Sequence, residues 1–435
     1  MKGNAYVPFM LRRGDGSTLS LDFTAMGGTL DSRFTFTRST TATFINSSGY
    51  VESIGAAASN DPTKARFDYN PTTLTARGLL IEGSATNLIY WSESFDTTGA
   101  AINWNWSAVN VTRGTVTTTA PSGSSATVVK IQETTATGLH APLIVYSTLT
   151  SSVYTVSLFA KAVERQYLSL FDNGGSAANA MFNLSGNGTV VSESTAGIAT
   201  ITPYPNGWYR ITMRTPTLTN MNVQFRLSTD GTTTSYAGTL NSGVYIWGAQ
   251  LEAGSGASSY ISTGASQVTR AADTCIAAST GFSSWFTGGT TGTFYADWFG
   301  GVRGITSTVR TVISTSDVTA RHLHLQQTAA AGNLKVADFG AANVVTTSNS
   351  LTSGARTKGA FSFSGSTVNL TLNGGTVATS SSIAFSTAPT YLVLGGTSTD
   401  GSTITDATVL LNGSIRAIKY WPSVLPTATL QSLTT

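Results

Sequence analysis

Apolar residues recur at every second position in many short segments of this chain, and this period of two restricts the fold more than any other feature. In the segment 208–214 one face is apolar and the other polar, with Tyr209, Ile211 and Met213 alternating with Arg210, Thr212 and Arg214. Successive side chains of a strand point to opposite faces, so the pattern predicts strands with one buried face.

Turn residues separate these segments, and helical patterns are almost absent. Glycine-rich turns such as Asn373-Gly374-Gly375 and Asp400-Gly401 lie between the strand patterns. Only the last dozen residues indicate a helix, with Thr427 as its capping residue. Because parallel sheets need long crossover helices, we predict an all-β fold of antiparallel sandwiches.

The composition is that of a folded chain with few charges. Charged residues are 10% of the 435 residues, against about 25% in an average soluble domain, while 40% are hydrophobic. Disorder needs low hydrophobicity together with high charge, so the chain has enough apolar residues for buried cores. The net charge is +3 and no basic cluster exists beyond Arg12-Arg13, so we expect no nucleic-acid partner. Cys275 is the only cysteine, which excludes an intrachain disulfide and a cysteine-based zinc site.

The distribution of turns and strand patterns predicts two domains after an arm. Residues 1–86 have no periodic segment long enough for a core of their own, which predicts an extended N-terminal arm. Strand patterns dominate residues 87–262 and again residues 279–435, and each range is predicted to form a sandwich. Residues 263–278 are small and polar and are predicted to be a linker. We find no apolar segment of signal-peptide length at the N-terminus and none of the ~20 residues that a membrane span needs, so we expect cytoplasmic synthesis and no membrane insertion.

The segment FTFTRSTTATFINSSGYVES, residues 34–53, contains one arginine and one glutamate among threonine, serine and aromatic residues. The alternation of Phe34 and Phe36 with threonines and the Asn46-Ser47-Ser48-Gly49 turn predict a β-hairpin. An unpaired buried charge is costly, so a hairpin with so few charges suits an arm buried against neighbouring chains. The alternative is that it forms the first strand pair of the first sandwich.

Several stretches occur in an order that resembles a module of bacteriophage virion proteins, chiefly tail and head fibres or spikes. They lie between residues 20 and 275: RFTFTRSTTATFINSSGYVES, ARFDYNP, RGLLIEGSATNLIYWSESFD and GVYIWGAQLEAGSGASSYISTGASQVTRAADTC. The resemblance implies that residues 87–262 form a jelly roll similar to carbohydrate-binding modules. The end of the chain, LNGSIRAIKYWPSVLPTATLQSL, is similar to the last strand and short helix of concanavalin A-like and laminin-G-like sandwiches.

This resemblance also implies a location and partners. The protein is expected to be made in the host cytoplasm and to be part of the extracellular virion, with its N-terminal region docked to other virion proteins. Phage fibres are commonly three-fold, and strands with uncharged edges are protected by neighbouring copies, so we expect a homotrimer. No cofactor is expected, and a structural calcium ion is left open because jelly rolls often hold one by backbone carbonyls.

Carboxylates are too scattered to predict a catalytic site. Glycoside hydrolysis usually uses two carboxylates that flank the scissile bond. No glutamate follows Glu252, and Glu93 and Asp96 lie in WSESFD, a stretch that the resemblance makes structural. His322 and His324 share one face of a strand, as two metal ligands could, but the only other histidine is His140. We therefore predict no catalytic residue, no metal ligand and no enzyme activity.

Aromatic side chains are the remaining candidates for a binding site. Trp104 and Trp106 place two indoles on one face of a strand or loop, an arrangement that can stack on sugar rings. Trp208, next to the inward-facing Tyr209, is expected to face outward and is a third candidate for carbohydrate binding. The alternatives are that Trp104 and Trp106 fill the core of the first sandwich, and that Trp208 covers a loop.

Three functions remain open at this point. We favour a structural virion protein, a fibre, spike or decoration protein on tail or head, whose sandwiches attach to host-surface polysaccharide. The second is a phage depolymerase that degrades capsule or lipopolysaccharide, but the chain has no long β-helix repeat and no carboxylate pair. The third is a secreted bacterial lectin or adhesin, which the missing signal peptide disfavours.

Overall fold

Antiparallel strands make up almost all of the regular structure, which confirms the predicted all-β sandwich fold. The computed structural model describes residues 14–57, 60–96, 104–105, 109–146, 148–300, 310–316, 321–327, 333–338, 344–351, 354–381, 388–404 and 409–435. Two α-helices occur in these residues, α1 (Ser279–Ser283) and α2 (Thr427–Thr434), and neither is long and apolar enough to cross a membrane. Helix α2 is the predicted one, although its N-cap residue is Pro426 instead of Thr427.

The N-terminal part of the chain forms short strands. They are β1 (Leu19–Asp22), β2 (Thr35–Thr37), β3 (Ala42–Ile45), β4 (Val51–Ile54), β5 (Phe67–Tyr69), β6 (Ala76–Ile81) and β7 (Ala85–Asn87). We call residues 14–87, which hold these strands, the N-terminal segment.

The first sandwich follows the N-terminal segment. Its strands are β8 (Trp104–Asn105), β9 (Val111–Thr119), β10 (Ser125–Glu133), β11 (Thr137–Leu139), β12 (Leu143–Tyr146), β13 (Ser152–Ala162), β14 (Tyr167–Asp172), β15 (Asn179–Asn183), β16 (Thr189–Glu193), β17 (Ala199–Tyr204), β18 (Trp208–Leu218), β19 (Met221–Ser228), β20 (Ser235–Ala237) and β21 (Gly243–Ala253). In the described residues the front sheet has the order β17-β18-β13-β21-β10-β9 and the back sheet the order β16-β15-β14-β19-β12-β8. Alternate residues of both sheets, such as Leu158 and Phe225, fill the core between them.

The second sandwich contains the remaining strands. They are β22 (Val268–Arg270), β23 (Thr274–Ala278), β24 (Thr291–Phe299), β25 (Arg310–Ser316), β26 (Arg321–Gln327), β27 (Asn333–Asp338), β28 (Val344–Ser350), β29 (Arg356–Ser364), β30 (Thr367–Leu372), β31 (Ala378–Ser380), β32 (Tyr391–Leu394) and β33 (Gly413–Trp421). Among the described strands, one sheet runs β31-β30-β29-β24-β33-β6-β5, with β1 also on β33, and the other runs β2-β23-β32-β25-β26-β27-β28. Strand β22 pairs with β7 instead.

Strands of the predicted arm are built into the second sandwich. Strands β1 and β6 both pair with β33, and β2 pairs with β23. Phe34, Phe36 and Leu79 are buried in the core that these sheets enclose. The N-terminal segment therefore completes the core of another part of the same chain. Docking of this region to other virion proteins stays a prediction.

The range 263–278 also differs from the prediction of a linker. It contains β22 and β23, and β23 lies between β2 and β32 in the seven-stranded sheet. Cys275, Ile276 and Ala277 are at most 2% exposed, so this short apolar run is core. Small polar residues surround this apolar run in the sequence, so the composition of the whole range did not indicate a buried strand. The domain boundaries at residues 87, 262 and 279 remain predictions.

Residues 34–53 do not form one continuous hairpin. Strand β2 belongs to the second sandwich, whereas β3 and β4 form a separate two-stranded hairpin. The predicted turn is present, because the side-chain oxygen of Asn46 accepts hydrogen bonds from the backbone N–H groups of Ser48 and Tyr50 at 3.0 Å. Val51 of β4 packs on the front sheet of the first sandwich. The hairpin is therefore covered by the chain's own sandwich in this structure.

A buried ion network holds the N-terminal segment to the residues after the first sandwich. It consists of Arg38, Arg66, Glu82, Arg270 and Asp273, and we call these residues the ion network. Asp273 accepts hydrogen bonds from Arg38 Nη1 at 3.1 Å, from Arg66 Nη2, and from the backbone N–H of Glu82 at 2.9 Å. Arg38 is the single arginine of residues 34–53, and its buried guanidinium group binds the carboxylate of Asp273 and the backbone carbonyls of Thr40 and Gly55.

Candidate functional site

A cleft of about 600 Å³ lies between the front sheet, the N-terminal segment and the end of β24. This volume is within the range of about 300–1,000 Å³ that is typical of ligand-binding pockets. We call it the arginine cleft and define it by six of its lining residues, Asp68, Arg77, Tyr204, Arg210, Arg214 and Phe299. Three stretches of the chain that are distant in sequence thus contribute to one concave surface.

Strand β18 supplies the polar floor of the cleft. Tyr209, Ile211 and Met213 are buried in the core of the first sandwich, and the alternate residues Arg210, Thr212 and Arg214 line the cleft. The alternation that the sequence predicted is therefore confirmed. Side chains two residues apart on a strand share a face, so two guanidinium groups and a hydroxyl project to the same side.

Threonine hydroxyls flank the arginines. Thr200 and Thr202 of β17 lie opposite Thr212 and Arg210 of β18, and Thr200 and Thr212 share a hydrogen bond of 2.6 Å between their side-chain oxygens. Hydroxyl groups both donate and accept hydrogen bonds, as sugar hydroxyls do. The floor therefore combines positive charge with groups that match a sugar surface.

The arginines of the cleft have few partners in the protein. Within the described residues, Arg77 and Arg214 make no side-chain hydrogen bond or ion pair, and the guanidinium of Arg77 lies 5.6 Å from the ring centre of Phe299. Arg210 donates from Nη2 to Ser157 Oγ at 3.1 Å, and its guanidinium lies 5.5 Å from the ring centre of Phe159. The Nε of Arg210 is buried without a hydrogen-bond partner in the same residues.

Asp68 is a buried carboxyl group at the edge of the cleft. Burial raises the pKa of Asp68 to about 6, and a hydrogen bond from the Ile45 backbone N–H at 2.8 Å and the nearby charge of Arg77 only partly oppose this effect. Glu82 and Arg66 are the other charged groups that act on it. Asp68 therefore changes its charge near pH 6.

Glu82 is the second carboxylate along the cleft, and it is occupied. It accepts a hydrogen bond from Arg66 Nη1 at 2.7 Å, and Ser259 donates to it from both its backbone N–H and its hydroxyl. Burial alone would raise the pKa of Glu82, but Arg270 and Arg66 outweigh burial and hold the pKa well below its usual range. A group of this kind is a poor general acid, because it stays ionised at any ordinary pH.

Two of the tryptophans proposed as carbohydrate-binding residues are core residues. Trp104 is 6% exposed and packs on Phe95 and Phe225, and its Nε1 donates to the Tyr90 carbonyl at 3.2 Å. Neither face of its indole is open to a sugar. Trp106 lies outside the described residues, so its role stays a prediction.

Trp208 has the predicted direction but is covered. It lies on the same face of β18 as Arg210, yet it is 0% exposed, in a cluster with Phe159, Trp247 and Val51. Its Nε1 donates to the Thr119 carbonyl at 2.9 Å. The prediction of an exposed sugar-stacking surface at Trp208 is corrected here, because the β3–β4 hairpin contributes the residue, Val51, that helps to bury it.

The remaining candidates from the sequence are not among the lining residues of the cleft in the described part of the chain. Glu93 accepts hydrogen bonds from the Tyr260 hydroxyl at 3.1 Å and the Ser262 hydroxyl at 2.8 Å, a structural arrangement, and Asp96 is half-buried. The side chains of His322 and His324 on β26 lie outside the described residues. In the parts of the chain that the structure describes, no group of three or more histidine, cysteine, aspartate and glutamate residues could hold a metal ion.

The sequence pointed to some cleft residues and missed others. Arg210 and Arg214 were assigned to the solvent-facing side of β18 without being considered as a site. Asp68 and Arg77 were missed, although Asp68 lies in ARFDYNP, one of the stretches that carried the resemblance. Only the pairing of β6 with the second sandwich brings Arg77 close to Phe299.

Comparisons with known proteins give no family. The chain matches no known protein family and no curated protein. Among solved structures it is similar to the CBM40 module of the Ruminococcus gnavus IT-sialidase bound to alpha2,6 sialyllactose, with 19% identity over 34% of this chain and 84% of that chain and a TM-score of 0.28.

Two further similarities are of the same order. The native heptameric SAP-like pentraxin from Limulus polyphemus is 11% identical over 34% of this chain and 70% of its own, with a TM-score of 0.30. Domains LG4-5 of the mouse laminin alpha1 chain are 10% identical over 67% of this chain and 90% of their own, with a TM-score of 0.22. At these TM-scores no family or ligand is assigned.

Proposed function

We propose that this protein is a structural component of a bacteriophage particle, a fibre, spike or decoration protein on tail or head, that binds host-surface glycan in the arginine cleft without cutting it. The observation that carries the binding part is the composition of the cleft. It offers arginine and threonine donors beside the rings of Tyr204 and Phe299, and aromatic rings with a few polar groups are typical of ligand pockets.

The same cleft argues against hydrolysis. A glycosidase of the usual kind needs one carboxyl group as acid and a second as base or nucleophile, roughly 5–9.5 Å apart. Asp68 and Glu82 are the carboxyl groups among the lining residues of the cleft, and Glu82 is bound by Arg66 and Ser259. A single titrating carboxyl group, Asp68, remains, and it has no partner carboxylate free to act with it in the described part of the cleft.

The virion assignment depends on a different observation, the resemblance of residues 20–275 to a phage module. The described structure is compatible with such a role, because strands of the N-terminal segment pair with strands of the second sandwich. One such contact is the hydrogen bond from Trp421 Nε1 to the Asp15 carbonyl at 2.9 Å. Such pairing protects the paired segments from proteolysis, which is an advantage for a protein exposed outside cells.

Two measurements test this proposal. Mass spectrometry of purified particles of the phage that encodes the chain should find it at a fixed copy number, and its absence from the particle would refute the virion role. An array of bacterial capsular and lipopolysaccharide glycans should retain the purified protein, without release of new reducing ends during prolonged incubation. Steady release of reducing ends would show that the protein is a depolymerase instead.

A further inference from the structure

The arginine side chains of the cleft are arranged for a ligand that carries several negative charges. We infer, resting on the glycan-binding function proposed above, that the arginine cleft selects acidic polysaccharide in which successive sugars carry carboxylate groups. This inference names the chemical class of the ligand, which the composition of the cleft alone leaves open.

The spacing of the two β18 arginines indicates more than one anionic group. Arg210 and Arg214 are four residues apart on one face of a continuous strand, which corresponds to about 13 Å between their Cα atoms. Guanidinium groups that extend side by side from these two positions are too far apart for one carboxylate to bind both in bidentate geometry, so the arrangement favours a ligand with more than one anionic group. Thr212 lies between them and offers a hydroxyl, so the strand presents charge, hydroxyl and charge in a row.

The chemistry of the side chains points to carboxylate. A guanidinium group is planar and can donate two parallel hydrogen bonds to a carboxylate. Arg77 and Arg214 have all their side-chain donors free of protein acceptors within the described residues, whereas Arg210 donates from Nη2 to Ser157 Oγ. An arginine that had only a structural role would be expected to bind a protein carboxylate or carbonyl group, as Arg38 and Arg66 do in the ion network.

The charge balance of the cleft is also positive. Arg77, Arg210 and Arg214 contribute three cations, whereas Glu82 is neutralised by Arg66. Asp68 is the one other carboxyl group among the described lining residues, and it is buried, with only 8% of its surface exposed. A groove of one sign attracts ligands of the opposite sign and raises their association rate at low salt.

The test uses the full-length protein and a matched pair of probes. Hexagalacturonate, which has a carboxylate on every sugar, is compared by isothermal titration calorimetry with the same hexamer after chemical reduction of its carboxyl groups. We expect binding of the acidic hexamer to be at least about tenfold stronger than that of the reduced hexamer, and to weaken as salt increases. Dextran sulfate is the third probe.

Variants connect the binding to the cleft. Arg214→Gln should weaken binding of the acidic hexamer by about tenfold and leave binding of the reduced hexamer unchanged, because a charge-assisted hydrogen bond is lost. Arg77→Gln should have a similar effect. Arg113→Gln is the control, since it removes the same charge from an exposed position on β9 outside the cleft. Arg214 makes no side-chain hydrogen bond within the described residues, so its variant should fold, which the circular dichroism spectrum checks.

The outcomes separate this inference from the proposed function. Equal binding of both hexamers, unaffected by Arg214→Gln, would overturn the acidic class and leave glycan binding intact. Equal binding of dextran sulfate would overturn the carboxylate class in favour of a general polyanion site. If the hexamers, dextran sulfate and the glycan array all fail to bind, the proposed binding function fails as well.

Discussion

Removing the charge of Asp273 is the sharpest test of how this chain is held together. In Asp273→Asn the volume is unchanged, but the group that faces two guanidinium groups becomes neutral and presents an amide N–H₂ to one of them. The side chains of Asp273, Arg38 and Arg66 are 0% exposed, so no water replaces the lost carboxylate. Three buried cations would then share one carboxylate, that of Glu82.

The expected loss of unfolding free energy follows from this count of charges. Breaking a buried ion pair by removing one partner costs about 3–5 kcal/mol, because the other charge remains buried without compensation. Asp273 contacts both Arg38 and Arg66, so we expect the upper part of that range. Folded domains are stable by about 5–15 kcal/mol, and the variant should therefore lose a third or more of its stability.

Urea unfolding followed by tryptophan fluorescence measures this loss. The control is Glu164→Gln, the same chemical change in a pair whose carboxylate side chain is 45% exposed, where we expect less than about 1 kcal/mol. A double variant, Arg38→Met with Asp273→Asn, should recover part of the stability, because it also removes one of the uncompensated cations.

The opposite pattern would refute the reasoning. If Asp273→Asn loses no more stability than Glu164→Gln, the ion network does not hold the N-terminal segment in place. Limited proteolysis adds a local measurement, because a weakened network should expose the N-terminal segment to cleavage before the first sandwich unfolds. Cleavage that begins elsewhere would contradict this role of Asp273.

Three further predictions concern other parts of the chain. Asp68 has a folded-state pKa of about 6 against 3.8 in the unfolded chain, so its stabilising contribution is complete below pH 3.8 and is lost as the pH rises through 6. Asp68→Asn should therefore raise the free energy of unfolding at pH 7.5 by up to about 3 kcal/mol and change it little at pH 4. Urea unfolding at the two pH values measures this difference, and an equal change in the free energy of unfolding at both pH values would contradict the prediction. Trp208→Ala should cost about 3–5 kcal/mol in thermal or urea unfolding, whereas a loss of sugar binding with unchanged stability would restore Trp208 as a binding residue. Strand β9 pairs only with β10 among the described strands and carries one charge, so its free edge is expected to pair with a neighbouring copy. Light scattering should therefore show the expected trimer, and the double variant Thr115→Lys with Thr117→Lys should reduce this self-association. A 45.2 kDa monomer in the unmodified protein would contradict the prediction.

Local patterns were enough to predict many of the strands and their faces. The alternation around Ile211 assigned the buried and polar sides of β18, and the polar side is the floor of the cleft. The Asn46 to Gly49 turn was equally visible, because its side-chain hydrogen bonds and the φ of +82° at Gly49 depend on a few neighbouring residues.

Burial of individual aromatic residues was not predictable in the same way. Trp208 was correctly assigned to the outer face of its sheet, but whether that face is wet depends on what covers it. One residue of the cluster that covers it, Val51, is more than a hundred residues away in the chain. Trp104 shows the same limit, since its contact with Phe225 depends on how the front and back sheets of the first sandwich meet.

The sequence by itself determined that this chain is all-β, where many of its strands and turns lie, and which face of strands such as β18 is apolar, because these properties follow from a period of two along neighbouring residues. Only the tertiary structure decided that the N-terminal segment completes the second sandwich, that Arg38 and Asp273 meet in a buried network, and that Arg77 joins Arg210 and Arg214 in one cleft. These contacts join residues more than a hundred positions apart. They form because strands with incomplete cores and buried charges are stable only when a distant part of the chain supplies the missing surface or counter-charge.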